Sequence, residues 1–386
     1  MTDFENPDYY INRELGLLAF NSRVLELAQD KRMPLLERLR FLCISSSNLD
    51  EFFEVRVGSL KQQQLLDIYA CGADGLMPGE ALKRIAELSK NLVEQQYSLL
   101  NKVMIPALKK EGIHFARRTH WDDVQRQWLS DYFDNELMPL LSPFGLDPAH
   151  PFPNVINKSL NFITELDGTD AFGRKIRAAI VQAPRTLPRI IRLPADIAPS
   201  ENTFVFLSSI LHAFIDRLFP GMTVDGCYQF RVTRNSNMYV DEEEIDDLLK
   251  AMKGELPHRN FGAAVRLEVA DHCSETSFRY LQKHFELDDQ DVYQVDGPVN
   301  LNRLMKVIDL IDKPKLRFAP FMPGSTHAIK KVGGNIFKAI RHRDILSHYP
   351  YQSFNTMLKL LDQAAKDDDV LAIKLTLYRA GENSAL

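Results

Sequence analysis

The sequence has little of what announces the commonest enzyme and membrane classes. Its four cysteines, Cys43, Cys71, Cys227 and Cys273, lie far apart and form no CxxC. That excludes a zinc ribbon or a disulfide framework and reads as reduced thiols of a cytosolic protein. No apolar run approaches the ~20 residues that a membrane-spanning helix needs. The opening MTDFENPDYY is acidic and aromatic, unlike a signal peptide. HExxH, GxxxxGK and GxSxG are all missing, which argues against zinc-protease, P-loop and α/β-hydrolase chemistry. Positive charge is not in surplus either: 47 Lys and Arg against 52 Asp and Glu give a net charge of -5. Nothing global pulls the chain toward nucleic acid or an anionic membrane, so a polyanion site must be a local basic patch.

What is present is ample core material. A chain of 386 residues, 45% hydrophobic and 26% charged, fits a soluble globular protein of two to three domains. The first third reads as all-helical. Asn12–Asp30 carries apolar residues at helical spacing, Pro34 opens a helix over Leu35–Cys43, and Pro78 opens a long periodic segment that Pro106 kinks or ends. Gly112 is a C-cap and the place for a domain boundary.

The middle third changes character. A helix over Trp121–Leu137 leads to a loop with Pro139, Pro143, Pro148, Pro151 and Pro153, too stiff to pair in a sheet interior. Short β-rich runs follow at Leu160–Leu166, Ile176–Ala183, Phe204–Phe206, Phe230–Thr233 and Ala263–Val269. Helical patterns interleave at Ile210–Leu218, Glu244–Met252 and Thr276–Phe285, and Asp241–Asp247 is an acidic helix start. Without a βαβ repeat this is an α+β region. From Phe318 a third unit begins, with helices over Asn335–Arg341 and Gln352–Ala365, the latter turning Phe354, Met357, Leu358 and Leu361 inward. Val370–Tyr378, VLAIKLTLY, reads as a strand covered on both faces. With no following helix or partner strand, that domain looks cut at Leu386. The domains expected are 1–112 (helical), 113–317 (central α+β) and 318–386 (a truncated α/β domain).

The stretch around which the chain is organised is Arg40–Leu60, RFLCISSSNLDEFFEVRVGSL. Three serines and Asn48 separate two apolar runs, so Asn48 is placed as the N-cap of a helix with Glu51 as its capping-box partner. A helix start of this kind turns free N–H groups and a positive dipole end outward, which suits an anion or a nucleotide. An ordinary capped helix in a bundle fits the same spacing. Among the ten histidines none sits in a His-x-Lys motif or at helical metal-ligand spacing. Basic residues crowd the last quarter, from Lys313, Lys315 and Arg317 to Lys374 and Arg379. Lys374 interrupts the expected buried strand and Arg379 closes it, at the carboxyl end where open α/β sheets bind ligands. Arg185, Arg189 and Arg192 form a smaller group in the middle region, interrupted by Pro184, Pro188 and Pro194. They suggest a phosphoinositide-type binding face or, on the prolines, a strand-connecting loop.

Five blocks carry a resemblance: INRELGLLAFNSRVLELA, PLLERLRFLCISSSNLDEFFEVRVGSL, LDPAHPFPNV, RHRDILSHYPYQSF and VLAIKLTLYR. In this order they resemble the signature blocks of bacterial polyphosphate kinase, departing at Gly16–Leu17, where the family has Ser-Trp, and at His342, where an acidic residue is usual. The resemblance implies an α+β multidomain protein with a helical N-terminal domain, a phox-homology-like central domain making dimer contacts, and the start of a phospholipase-D-like domain. It implies reversible transfer of the ATP terminal phosphate to inorganic polyphosphate through a phosphohistidine that lies downstream of Leu386, with Mg2+ accompanying ATP. Asn48 matches the family's adenine-side residue. Arg379 matches its triphosphate and magnesium residue, acting indirectly because a guanidinium has no lone pair to give a cation. Lys374 is a weaker candidate beside it. A cytoplasmic homodimer or higher oligomer is implied, peripheral to the inner membrane at most, with ATP/ADP and polyphosphate as partners and no nucleic acid. A non-catalytic nucleotide- or polyphosphate-binding and dimerisation fragment is the alternative.

Overall fold

The structure, a computed structural model, describes residues 4, 6–66, 71–147, 152–169, 173, 176–236, 262–324 and 327–376. The expected helix over Glu244–Met252, the acidic run Asp241–Asp247 and part of the proline-rich loop lie outside them. The chain divides into two compact units, Met1–Arg317 and Phe318–Leu386.

Helices built from the expected periodicities open the first unit: α1 (Arg13–Gln29), α2 (Leu35–Phe52), α3 (Gly58–Leu65), α4 (Pro78–Leu99) and α5 (Ile105–Lys110). Asn12 caps α1 by accepting the Leu15 N–H, and Gly112, at φ +72°, ends α5 in the left-handed conformation that glycine tolerates. Pro106 neither ends nor breaks its helix. A π-helical turn, Leu100–Met104, lies immediately before α5 and opens the hydrogen-bond ladder where the proline ring would crowd a preceding carbonyl.

Two sheets follow. The smaller has the order β1–β6–β5, from β1 (Ile113–Phe115), β6 (Asn202–Phe206) and β5 (Ile190–Arg192). The larger runs β2–β4–β3–β7–β8–β9, from β2 (Pro143–Gly145), β4 (Ala178–Ala183), β3 (Leu160–Gly168), β7 (Met222–Arg234), β8 (Ala264–Ala270) and β9 (Val292–Val295). Proline-led β2 sits at its edge, where a missing N–H costs no ladder bond. Between the sheets' strands come α6 (Asp123–Tyr132), α7 (Leu207–Phe214) and α8 (Glu275–His284), and α9 (Met305–Leu310) closes the unit. The α+β class expected from the sequence is the class found.

The β7–β8 register decides how helices and sheet join. Arg231 faces Glu268 across the ladder, and Thr233 faces Arg266. Alternate residues Phe230, Val232, Leu267 and Val269 therefore point the other way, into a core with Leu281 and Phe285. The charged face turns toward α2. The helical core is not self-contained: Leu25, Leu39, Leu42 and Leu100 share one cluster with Val265, Tyr293, Val295, Leu304 and Ile308. Gly58 marks the closest approach, since a Cβ there would meet the Asn235 side chain at 2.6 Å.

In the second unit α10 (Ile336–His342), capped by Asn335, and α11 (Asn355–Lys366) pack around Ile329, Ile336 and Ala339. Of the residues the sequence turns inward from α11, Met357, Leu358 and Leu361 are partly covered, while Phe354 is exposed and departs from that reading. The buried strand expected at Val370–Tyr378 also fails over its described part. Residues 370–376 pair with no strand, and Leu371 is 98% exposed. An apolar run becomes a central strand only when neighbours cover both faces, and the described residues of this unit supply none.

Candidate functional site

The structure overturns the placing of Asn48 at a helix start. Ser45, Ser46, Ser47 and Asn48 lie inside α2, which continues to Phe52 and then through a π-helical turn, Phe53–Val57, into α3. Serine is a weak helix former in isolation, but here it is the small residue that lets neighbouring helices close in. Ser45 is fully buried; its hydroxyl accepts from Gln96 Nε2 at 2.9 Å and its carbonyl from Asn21 Nδ2 at 2.9 Å. Packing on both sides overrides the local preference. No free N–H groups or dipole end exist at Asn48, so whatever it offers comes from its side chain.

That side chain lies in a groove of about 310 Å3 between α1, α2 and the π turn, the size of a small ligand pocket. Leu17 and Phe20 form one wall, 41% and 58% exposed respectively, and Phe52 and Val55 contribute to the other. Asn21 and Asn48 supply the amides, 3.4 Å apart from Nδ2 of Asn48 to Oδ1 of Asn21, while Glu51 and Arg56 bring the charged groups. Asn21 is buried and spends its amide on the Ser45 carbonyl and on Asn48. Apolar walls with the Asn48 amide, a donor and an acceptor in one group, therefore suit the edge of a flat heteroaromatic ring. Leu17, one of the positions that departs from the family's Ser-Trp, is part of that wall.

The end of α2 that carries Asn48 is anchored by a charged cluster that sequence reasoning missed. Asp50, two residues on, is buried with Arg231, Arg266 and Glu268. Arg231 grips it bidentately, Nη1 to Oδ2 at 2.8 Å and Nη2 to Oδ1 at 2.9 Å. Arg266 bonds both Asp50 and Glu268, and Arg231 Nε also meets Glu268. Burial alone would raise the Asp50 pKa; Arg231 and Arg266 outweigh it and hold the carboxyl below its ordinary value. One helical turn later Glu54 accepts from Asn157 Nδ2 at 2.5 Å and Lys158 Nζ at 2.7 Å. The signal was there in the charged residues alternating with apolar ones in FRVTR and AVRLEVA.

The groove is built wholly of first-unit residues. Lys374 sits in the exposed segment of the second unit, and Arg379 lies outside the described residues. Among the described residues no group of three His, Cys, Asp or Glu side chains could hold a metal ion. No helix among them is long and apolar enough to cross a membrane.

One histidine is electrostatically unusual. His212, on α7, has its pKa pushed down to about 4, first by burial and then by Arg118, whose Nη1 lies 3.0 Å from Nδ1, with His272 adding to the repulsion. The unfolded chain therefore takes up a proton first as pH falls. The stabilisation is complete above about pH 6.5 and is lost between there and about 4. We expect urea stability to fall by about 1–2 kcal/mol across that window, the full shift being discounted for partial exposure. His212→Gln should flatten the slope, and an unchanged slope would assign it to other groups.

Three family models match the chain in succession: the polyphosphate kinase N-terminal domain over residues 10–116, the middle domain over 124–307, and C-terminal domain 1 over 335–386. The chain belongs to the polyphosphate kinase family. It is 54% identical over 374 residues to a polyphosphate kinase of Neisseria meningitidis serogroup C, covering 97% of this chain and 54% of that protein. Against a polyphosphate kinase of Pseudomonas aeruginosa it is 51% identical over 382 residues, covering 99% and 55% respectively. The crystal structure of polyphosphate kinase from Porphyromonas gingivalis superimposes with a TM-score of 0.76 at 25% identity, covering 97% of this chain and 52% of the other. The chain spans about half the length of the curated relatives it matches.

Proposed function

We propose that these 386 residues supply the nucleotide-positioning part of a polyphosphate kinase, which transfers the terminal phosphate of ATP reversibly to inorganic polyphosphate. The observation that carries the reading is the groove at Asn48, whose apolar walls and Asn48 amide fit an adenine ring. Phosphoryl transfer is chiefly positioning and charge neutralisation, and the groove would fix one end of the nucleotide while Arg379, with Lys374 as a weaker candidate, neutralises the other. Magnesium enters with the triphosphate, and Arg379 reaches it only through phosphate oxygens. The imidazole that carries the phosphoryl group is assigned to sequence outside these residues, since none of the ten histidines stands in a His-x-Lys motif. In this reading 1–112 is the adenine-side domain, 113–317 the dimer-forming domain and 318–386 the beginning of the catalytic one, in a cytoplasmic homo-oligomer.

The test is equilibrium titration of this chain with a fluorescent ATP analogue. Asn48→Ala removes one base-edge hydrogen bond and is expected to weaken binding roughly five- to tenfold, about 1–1.4 kcal/mol. Affinity that does not change would remove Asn48 and its groove from the nucleotide site.

A further inference from the structure

A second cavity, away from the nucleotide groove and independent of that reading, lies where β7, the start of α7 and the turn Leu301–Leu304 meet. It has a volume of about 30 Å3, room for about two water molecules, which is the space one tetrahedral oxyanion displaces. Its cations have unequal partners. Arg231 is neutralised by Asp50 and Glu268, and Lys158 by Glu54 at 2.7 Å. Arg189 and Arg303 have no carboxylate partner among the described residues. Arg189 gives Nη2 to the Ala183 carbonyl at 3.0 Å, but its Nη1 is buried with no hydrogen-bond partner. Arg303 lines the same cavity, and burial first, then the charges of Arg303 and Arg185, push the Arg189 pKa down to about 10. Arg192, from the same sequence group, is engaged elsewhere, with Asn202 at 2.6 Å and the Leu310 carbonyl at 2.8 Å.

The rest of the wall narrows the ligand. Phe206 and Ser208 line it from the start of α7, a helix whose first turn has no side-chain cap, adding a partial positive charge and a hydroxyl. Facing these donors are two acceptors, Gln229 Oε1 and Asn300 Oδ1, both buried and without a donor. The Gln229 amide is oriented by its own Nε2, which donates to the Gly297 carbonyl at 2.7 Å. Water would satisfy hydrogen bonds here but would leave the guanidinium repulsion standing. A fully deprotonated anion would balance charge but leave the acceptors unpaired, and a buried unpaired polar atom costs about 1–3 kcal/mol. A phosphate group that keeps one proton answers both needs.

We propose that this cavity binds hydrogen phosphate, free or as the terminal group of a polyphosphate chain, with Arg189 and Arg303 gripping its bare oxygens and Gln229 or Asn300 accepting from its P–OH. Sulfate, the same shape but unprotonated at neutral pH, is the discriminating control.

The experiment is calorimetric titration of the 386-residue chain with inorganic phosphate and with sulfate at matched ionic strength. Phosphate should bind saturably with one site, and sulfate at least tenfold more weakly. Arg303→Gln, at an exposed position where losing a repelling charge should not lower the ligand-free melting temperature, should weaken phosphate at least tenfold. Equal affinity for the two anions, no saturable phosphate binding, or an undiminished Arg303→Gln variant would each overturn the proposal. Tripolyphosphate that competes with phosphate assigns the site to chain ends; tripolyphosphate that does not compete assigns it to the free ion.

Discussion

Asp50→Ala is expected to destabilise the first unit by about 3–5 kcal/mol, the range found when one partner of a buried ion pair is removed. The four-residue cluster is neutral as built: Asp50 and Glu268 against Arg231 and Arg266, all nearly inaccessible to solvent. Taking Asp50 away leaves one positive charge in excess and strips Arg231 of both its Nη contacts. Neither arginine can shed its proton or reach water without unpacking α2 from β7 and β8. Urea denaturation of the variant measures the loss, and a midpoint within experimental scatter of the parent would show that the cluster is energetically idle. The sign with pH is fixed as well. Because the Asp50 pKa is depressed in the fold, this contribution is complete above the ordinary carboxylate range and vanishes as pH drops through the lowered value.

Phe53→Ala is expected to cost a further comparable amount, about 3–5 kcal/mol, by a different mechanism. Phe53 opens the π turn, 2% exposed, and meets Tyr293 edge-on at 5.8 Å and Phe52 at 5.9 Å. The Arg266 guanidinium lies 4.7 Å from its ring centroid. Deleting the ring leaves a hole and takes the aromatic face from a buried cation. Since Arg266 is shared with Asp50, the double variant should lose less than the sum of the two single ones. Strict additivity in the double-mutant cycle would mean that the ring and the carboxylate act separately.

Much of the architecture was legible because it rests on local rules. Gly112 ends a helix and Pro78 opens one, as glycine and proline do wherever they stand in that pattern. The strands at Leu160–Gly168 and Ala264–Ala270 follow from β-branched and apolar runs. The candidate site was legible in position but not in geometry. SSSN reads locally as a helix break, and only the approach of Asn21 and Gln96 to Ser45 makes it a helix interior. Nothing in its own segment singles out Asp50, because its partners Arg231 and Arg266 stand 181 and 216 positions away. Spacing within one segment carries no information about such partners. The apolar run at residues 370–376 shows the converse, for hydrophobicity announces a buried strand only where something is there to bury it.

The apolar cluster that joins the opening helices to residues near 300 has a bearing on how the chain is made. Leu39, Leu42 and Leu100 wait for Tyr293, Leu304 and Ile308. At bacterial-type elongation of about 5–20 residues per second, roughly 10–40 seconds separate the emergence of α5 from that of α9. Throughout that interval a nascent bundle would present an oily flank to the crowded exit of the ribosome, a natural foothold for a chaperone.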